Sequence, residues 1–145
     1  PVWGWTINDQ ARIGKSPTDK DAGEVDILVQ SAGQNIAFIE ALILKSGNSS
    51  NTQKHIRKCF SYVSYLSRYY VVVYFRGPLA NFDATWEAYK EDVLKMPFPK
   101  EVEIDKSKNF EDLLESFEDT RHLKIASTSH ASKVKMFHVM INLGL

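Results

Sequence analysis

The sequence predicts an α/β fold, a mixed central sheet flanked by helices, in one domain of residues 1–145. Two apolar runs at 24–30 and 36–45 are separated by a short polar turn, which is typical of a hairpin. A segment with apolar residues at helical spacing follows, and then the β-branched and aromatic run 69–75. Because a helix joins the strands at 36–45 and 69–75, we expect these two strands to be parallel.

The first half of the chain is predicted to hold three strands and one helix. A short strand at 2–7 precedes a polar loop at 8–23, whose glycine and proline residues are typical of turns. The strand at 24–30 follows. The strand at 36–45 is apolar on both faces, so we expect it in the centre of the sheet. A polar loop then supplies the N-cap of a helix at 52–67. The apolar face of this helix is expected to contain Ile56, Cys59, Phe60, Val63 and either Leu66 or Ser67.

The second half begins with the strand at 69–75, which ends at Arg76-Gly77-Pro78. A helix is predicted at 80–95, and the prolines of Met96-Pro97-Phe98-Pro99 end it. The apolar face of this helix contains Phe82, Trp86, Tyr89 and Val93. The remaining elements are expected to be a short strand at 101–104, a helix at 109–118, and strands at 123–127 and 134–143.

Length and composition indicate a globular domain in a reducing compartment. With 145 residues, of which 43% are apolar and 25% charged, the chain can bury a sizeable core. Its apolar runs are shorter than the roughly 20 residues of a membrane helix, so we expect no membrane contact. The single cysteine, Cys59, excludes an internal disulfide and favours a cytoplasmic location. Because the chain begins at Pro1 rather than methionine, we expect a fragment of a larger protein.

Charge is distributed unevenly, although the formal net charge is zero. From Lys45 to Arg68 the chain carries five Lys or Arg residues and no acid. Such a basic stretch can hold the phosphates of a polyanion, and it can equally form a solvated helix face. Which of these two interpretations applies depends on the groups that lie beside the basic stretch.

Two acids, Asp26 and Glu40, interrupt otherwise apolar strands. A buried carboxylate is costly without a cationic partner, a metal or a shifted pKa. Side chains alternate along a strand, so a hairpin can place both carboxylates on one face of the sheet. Two carboxylates there would repel each other, and a hard divalent cation such as Mg²⁺ or Mn²⁺ would relieve the repulsion. The alternative for Glu40 is a buried ion pair with a lysine or arginine.

The stretch Gly23-Glu24-Val25-Asp26, followed by a turn and by Ile36-Ala37-Phe38-Ile39-Glu40, resembles the PD-(D/E)xK nucleases of the restriction-endonuclease-like superfamily. Glu40 follows Asp26 by 14 positions, and the next helix and strand have the order of that core. The resemblance covers roughly residues 20–76. It implies a restriction-endonuclease-like core and a metal-dependent endonuclease that hydrolyses phosphodiester bonds. Asp26 and Glu40 would then hold Mg²⁺ or Mn²⁺ and take part in catalysis.

The lysine that the family places two residues after this glutamate is replaced here by Leu42. One interpretation is that a lysine of the following helix has taken over its role, and Lys58 is then the candidate catalytic lysine. The candidates for substrate binding are Lys45, Lys54 and His55. The other interpretation is that the domain has lost catalysis and kept the fold.

The predicted function is a metal-dependent DNA endonuclease whose basic helix grips the nucleic-acid backbone without reading its sequence. By analogy with the family, such a domain serves bacterial defence or repair beside a fused ATPase or sensor domain. The alternative is a catalytically inactive nuclease-like module that binds nucleic acid or another protein. Neither function assigns a role to His130 or His138.

Overall fold

The computed structural model describes residues 5–9, 27–60, 66–116 and 121–144. Over these ranges the fold is mixed α/β, as predicted, with a seven-stranded sheet. The strands are β1 (Trp5–Asp9), β2 (Ile27–Ser31), β3 (Gln34–Leu44), β4 (Arg68–Phe75), β5 (Glu111–Asp112), β6 (Leu123–Ser129) and β7 (Lys135–Asn142). The helices are α1 (Ser49–Cys59) and α2 (Phe82–Lys95). Neither of these two helices is long and apolar enough to cross a membrane.

The sheet has the order β1-β2-β3-β4-β7-β6-β5. Strands β1, β2 and β3 form an antiparallel meander at one side. Strand β4 pairs in parallel with both β3 and β7, so the predicted parallel crossover is confirmed. Strands β7, β6 and β5 continue the sheet in antiparallel pairs. Strand β4, which is uncharged after Arg68 and rich in valine and tyrosine, therefore lies in the middle of the sheet with both of its edges paired.

Both helices pack on the same face of the sheet. Glu40 of β3 is paired with Val71 of β4, and Val71 is paired with His138 of β7. Residues paired across strands share a face, so these three side chains form a row on one side. His55 of α1 contacts Glu40, and Tyr89 of α2 contacts His138. Helix α1 therefore covers one end of the row and α2 the other.

The main hydrophobic core lies between this face and the two helices. The predicted apolar face of α2 is confirmed, because Phe82, Trp86, Tyr89 and Val93 are all buried. The sheet contributes Phe38, Leu42, Leu44, Tyr69, Val71, Val73, Phe75, Met136 and Met140. This layer buries most of the large apolar side chains that the helices and central strands carry.

Helix α1 begins and ends at identifiable residues. The side chain of Asn48 accepts a hydrogen bond from the backbone N–H of Asn51, which is a standard N-cap. Helix α1 ends at Cys59, so the helical prediction for 60–67 is wrong at Phe60, Leu66 and Ser67, while 61–65 lie outside the described residues. Phe60 leaves the helix and packs on Tyr69, with ring centroids 4.8 Å apart. The helix therefore ends before its predicted C-terminus, and the next residue belongs to the core.

The segment before β6 differs from the prediction. The strand expected at 101–104 is a 3-10 turn at Lys100–Val102, followed by an isolated bridge between Ile104 and His130. The described part of the helix expected at 109–118, residues 109–116, contains β5 and a 3-10 turn at Leu114–Ser116 instead of an α-helix. Strand β5 pairs with β6 there, and the side chain of Asp112 accepts a hydrogen bond from the N–H of Leu114. Pairing with the edge of β6 and this local turn stabilise residues 111–114 in a non-helical conformation, despite their helix propensity.

Candidate functional site

Glu40 is a fully buried carboxylate in the middle of β3. Its Oε1 atom lies 2.5 Å from Nδ1 of His55, which is also fully buried. The two groups are within hydrogen-bond distance, and an imidazole N–H at Nδ1 can donate to the carboxylate oxygen. A carboxylate at this depth is retained only when such donors replace the water it has lost.

Lys58 approaches the same oxygen from the protein surface. Its Nζ atom lies 3.5 Å from Oε1 of Glu40, and its side chain is 35% exposed. His55 and Lys58 are three residues apart, so they lie on one face of α1. One helix therefore brings two donors to one carboxylate oxygen, one donor from the core and one from the solvent boundary. This is the arrangement that the migrated-lysine interpretation requires of Lys58.

The N-terminal half of α1 is fastened to the sheet. The side-chain amide of Asn51 donates to the carbonyl oxygen of Ile43, 3.3 Å away. Thr52, one residue further along the helix, is fully buried. This anchoring holds the helix against β3, so His55 and Lys58 face Glu40 in a fixed register.

Leu42 stands at the position where the resemblance expects a lysine. It lies on the same face as Glu40, two residues further along β3, and it is fully buried in the hydrophobic core. A lysine here would place its ammonium group among apolar side chains, at a high desolvation cost. The lysine side chain near Glu40 belongs to α1 instead, since Lys58 Nζ lies 3.5 Å from Glu40 Oε1.

The other predicted site residues are placed differently. Lys45 and Lys54 are exposed, Lys45 just beyond the end of β3 and Lys54 on α1. His55 lies in the core rather than on a surface that a substrate can reach. Asp26 lies outside the described residues. Over the ranges that the structure describes, no three His, Cys, Asp or Glu side chains come together as a metal site.

A second polar cluster lies on the same face of the sheet. The Tyr89 hydroxyl is 2.7 Å from Nδ1 of His138, and Nε2 of His138 is 2.9 Å from Oγ1 of Thr128. The same Thr128 oxygen is 2.8 Å from Nε2 of His130, whose Nδ1 is 2.8 Å from the carbonyl oxygen of Val102. Five groups are thus linked in one buried hydrogen-bonded network. They come from α2, β6, β7, the residue after β6 and the 3-10 turn at Lys100–Val102. The sequence did not predict this network.

The hydrogen-bond partners in this network determine which nitrogen of each histidine carries the proton. The carbonyl of Val102 can only accept, so His130 carries its proton on Nδ1 and, when neutral, accepts on Nε2. Thr128 must then donate to His130 and accept from Nε2 of His138. A neutral His138 accepts on Nδ1 from the Tyr89 hydroxyl. All donors and acceptors of the chain are satisfied only when both imidazoles are neutral.

Burial favours the neutral form of each ionisable group in this network. Desolvation and, to a smaller degree, the nearby His130 together lower the pKa of His138 to about 3. Desolvation also lowers the pKa of His130, while its hydrogen bond to Val102 opposes the change. The pKa of Tyr89 is raised well above its usual value by burial and, to a smaller degree, by Cys59. The network is therefore a neutral, structural element.

Replacing Thr128 with valine should destabilise the protein more than the similar shapes of the two side chains suggest. The change leaves a donor on His138 and an acceptor on His130 unpaired, and each lost partner costs about 1–3 kcal/mol. Tyr89→Phe removes one hydrogen bond and should cost less. Thr128→Ser, which keeps the hydroxyl, is the matched control. Urea unfolding of the three variants measures the order, and a Thr128→Val variant as stable as Thr128→Ser would contradict this network.

Comparisons of the chain with models of protein families, with curated proteins and with solved structures found no match. The interpretation of the Glu40 site therefore depends on the positions of its own residues and on the sequence pattern.

Proposed function

We propose that this chain is a metal-dependent nuclease domain of the restriction-endonuclease-like type. It would hydrolyse phosphodiester bonds of nucleic acid, with Glu40 in its active site. The observation that carries the proposal is the 3.5 Å approach of Lys58 Nζ to Glu40 Oε1. It provides a lysine beside the acid of the motif, although Leu42 occupies the usual lysine position.

The order of elements supports the proposal. An antiparallel hairpin, β2 and β3, is followed by α1 and by β4, which is parallel to β3. This is the order that the resemblance implies for residues 20–76. Asp26 immediately precedes β2, and it is the proposed second carboxylate.

Each residue has a distinct proposed role. Glu40 and Asp26 offer hard oxygen ligands, which is the donor chemistry that Mg²⁺ and Mn²⁺ prefer. A bound divalent ion would supply a more acidic water and neutralise charge on the phosphate. The Lys58 ammonium, half exposed beside Glu40, is placed to stabilise negative charge that develops on the phosphate. Exposed Lys54 and Lys45 would contact the phosphate backbone without reading sequence.

A second candidate function is a non-catalytic module that binds nucleic acid or a protein. One observation favours it: the Glu40 carboxylate is fully buried and is already bonded by His55 and Lys58. A buried ion pair of this kind is what the structural interpretation of Glu40 predicts. The two functions differ in whether the site binds a divalent ion.

Cleavage of fluorescent single- and double-stranded DNA and RNA, with Mg²⁺ or Mn²⁺ and with EDTA, tests the proposed nuclease. We expect Glu40→Gln and Lys58→Ala each to lower the metal-dependent rate by at least about 10²-fold, the usual loss when a charge-stabilising group is removed. Lys54→Ala is the matched control, because it removes an exposed lysine from the same helix. It should weaken substrate binding slightly and leave the rate at saturating substrate unchanged.

Two results would contradict the nuclease proposal. The first is a parent protein that neither cleaves any of the four substrates nor binds Mn²⁺ in a titration. The second is cleavage that survives Glu40→Gln at the parent rate, since this would come from another site or a contaminant. Tight binding of nucleic acid without cleavage or metal binding would instead support the module.

A further inference from the structure

We infer that His55 is a positioning residue of the candidate site, which holds the Glu40 carboxylate in the orientation the reaction needs and keeps Lys58 available to the substrate. The inference rests on the proposed nuclease function and deepens it. It also changes the role expected for His55 from a substrate contact to a group that acts through Glu40.

The geometry gives His55 control over one carboxylate oxygen. Its Nδ1 lies 2.5 Å from Oε1 of Glu40, and both side chains are fully buried. An imidazole has only two side-chain torsions, and α1 is capped by Asn48 and tied to Ile43 through Asn51. The donor therefore moves little, and its bond restrains the position of Oε1 and the turning of the carboxylate.

The position of Lys58 depends on the same oxygen. Its Nζ lies 3.5 Å from Oε1, further away than the 2.5 Å of the His55 nitrogen. Because His55 already satisfies Oε1, Lys58 remains at the solvent boundary, where its side chain is 35% exposed. Without His55, we expect the Lys58 ammonium to be drawn closer to the buried Glu40 carboxylate. It would then be less available to a phosphate.

A purely structural pair would be an expensive way to fill this space. Replacing a buried ion pair with apolar side chains of similar volume is often neutral or stabilising. The neighbours of Glu40 on the same face of β3 are Phe38 and Leu42, both fully buried, so an apolar residue would fit the surroundings. Retention of a carboxylate with two donors is explained if the orientation of that carboxylate has a use.

The test compares three replacements of His55 that differ in where they place a donor. The side-chain amide nitrogen of Asn reaches about the position of Nδ1, that of Gln reaches about the position of Nε2, and Leu has none. We expect His55→Asn to keep most of the activity. His55→Gln and His55→Leu should lose about 10- to 100-fold in kcat and in Mn²⁺ affinity, the usual loss for a group that supports a metal ligand.

The KM for a DNA substrate should stay near that of the parent in all three variants, because the surface lysines are unchanged. Far-ultraviolet circular dichroism and urea midpoints give the folded fraction, and the rates are corrected for it. His55→Gln provides the test even if His55→Leu does not fold, because Asn and Gln are both polar and differ mainly in reach.

Three outcomes separate the hypotheses. An active parent with His55→Asn close to it and His55→Gln far below it supports the inference. An active parent whose His55→Gln or folded His55→Leu variant has the parent's kcat and Mn²⁺ affinity overturns the inference alone, and leaves His55 as a packing residue. A parent that neither cleaves nor binds Mn²⁺ overturns the proposed function and the inference together.

Discussion

Lowering the pH from 7 to 5 should cost the folded protein about 2 kcal/mol of unfolding free energy through His138 alone. In the unfolded chain a histidine has a pKa of about 6.5, whereas burial holds the pKa of His138 at about 3 in the folded protein. Between these two values the unfolded chain binds a proton that the folded chain does not. Each pH unit there costs about 1.4 kcal/mol for one histidine.

The direction of this effect follows from the lowered pKa. The stability that neutral His138 contributes is fully present above pH 6.5 or so, and it is lost as the pH falls towards about 3. Because the pKa of His130 is lowered as well, this histidine adds to the loss. Protonating either one reverses a bond in the network, since an imidazolium donates to the hydroxyl of Tyr89 or Thr128 instead of accepting from it, and that hydroxyl proton loses its acceptor.

Urea unfolding at pH 7, 6 and 5 measures the slope, in a range above that in which most carboxylates titrate. His138→Gln should reduce the slope, while His122→Gln, which changes an exposed histidine outside the network, should keep it. Nitrogen-detected NMR gives an independent measurement. It should show His138 protonated on Nε2 alone down to pH 5, and a folded His138 that gains a second proton near pH 6.5 would contradict the assignment.

Leucine in place of either Glu40 or His55 should destabilise the protein by about 3–5 kcal/mol, the usual cost of breaking a buried charged pair. Each single change leaves one polar partner in a core site without its main contact. In His55→Leu, Lys58 compensates only part of the lost stability, because its side chain is partly exposed and its Nζ lies 3.5 Å from Glu40 Oε1. Replacing both residues, in Glu40→Leu with His55→Leu, removes both polar groups and should cost far less than the sum.

A double-mutant cycle in urea measures this coupling directly. We expect a coupling energy of at least about 2 kcal/mol, near the upper part of the range for residues in contact. Lys54→Met, which changes an exposed residue of the same helix, is the control and should be additive with either change. Additive effects of Glu40→Leu and His55→Leu would mean that the short contact contributes little to the folded state.

The elements with strong, regular patterns could be predicted from the sequence, and their ends could not. The strands at 36–45 and 69–75 and the helix at 80–95 carry long apolar periodicities, and the structure confirms all three. The end of α1 depends on the contact of Phe60 with Tyr69, which a local pattern does not contain. The helix expected at 109–118 has favourable local composition, but the edge of β6 offers its backbone better partners.

The candidate site could be predicted in part, because some of its residues stand out in local sequence patterns. Glu40 stands out in the sequence because it is a lone acid in an apolar strand, and the spacing of His55 and Lys58 on a helix pairs them on one face. The depth of His55 depends on how α1 docks, which the sequence leaves open. The second cluster joins Tyr89 to His138 across 49 positions of the chain, a distance over which a local pattern carries no information.

The central position of β4 has a consequence for the order in which the chain becomes structured during synthesis. One edge of β4 is covered by β3, which has already been made, while its other edge waits for β7, and Arg68 meets Lys135 there. Until β7 has left the ribosome, the uncharged stretch 69–75 presents an open edge of the kind that pairs with other chains. Pairing with β7 closes this edge, so the nascent chain is open to self-association through β4 for as long as β7 has not been made.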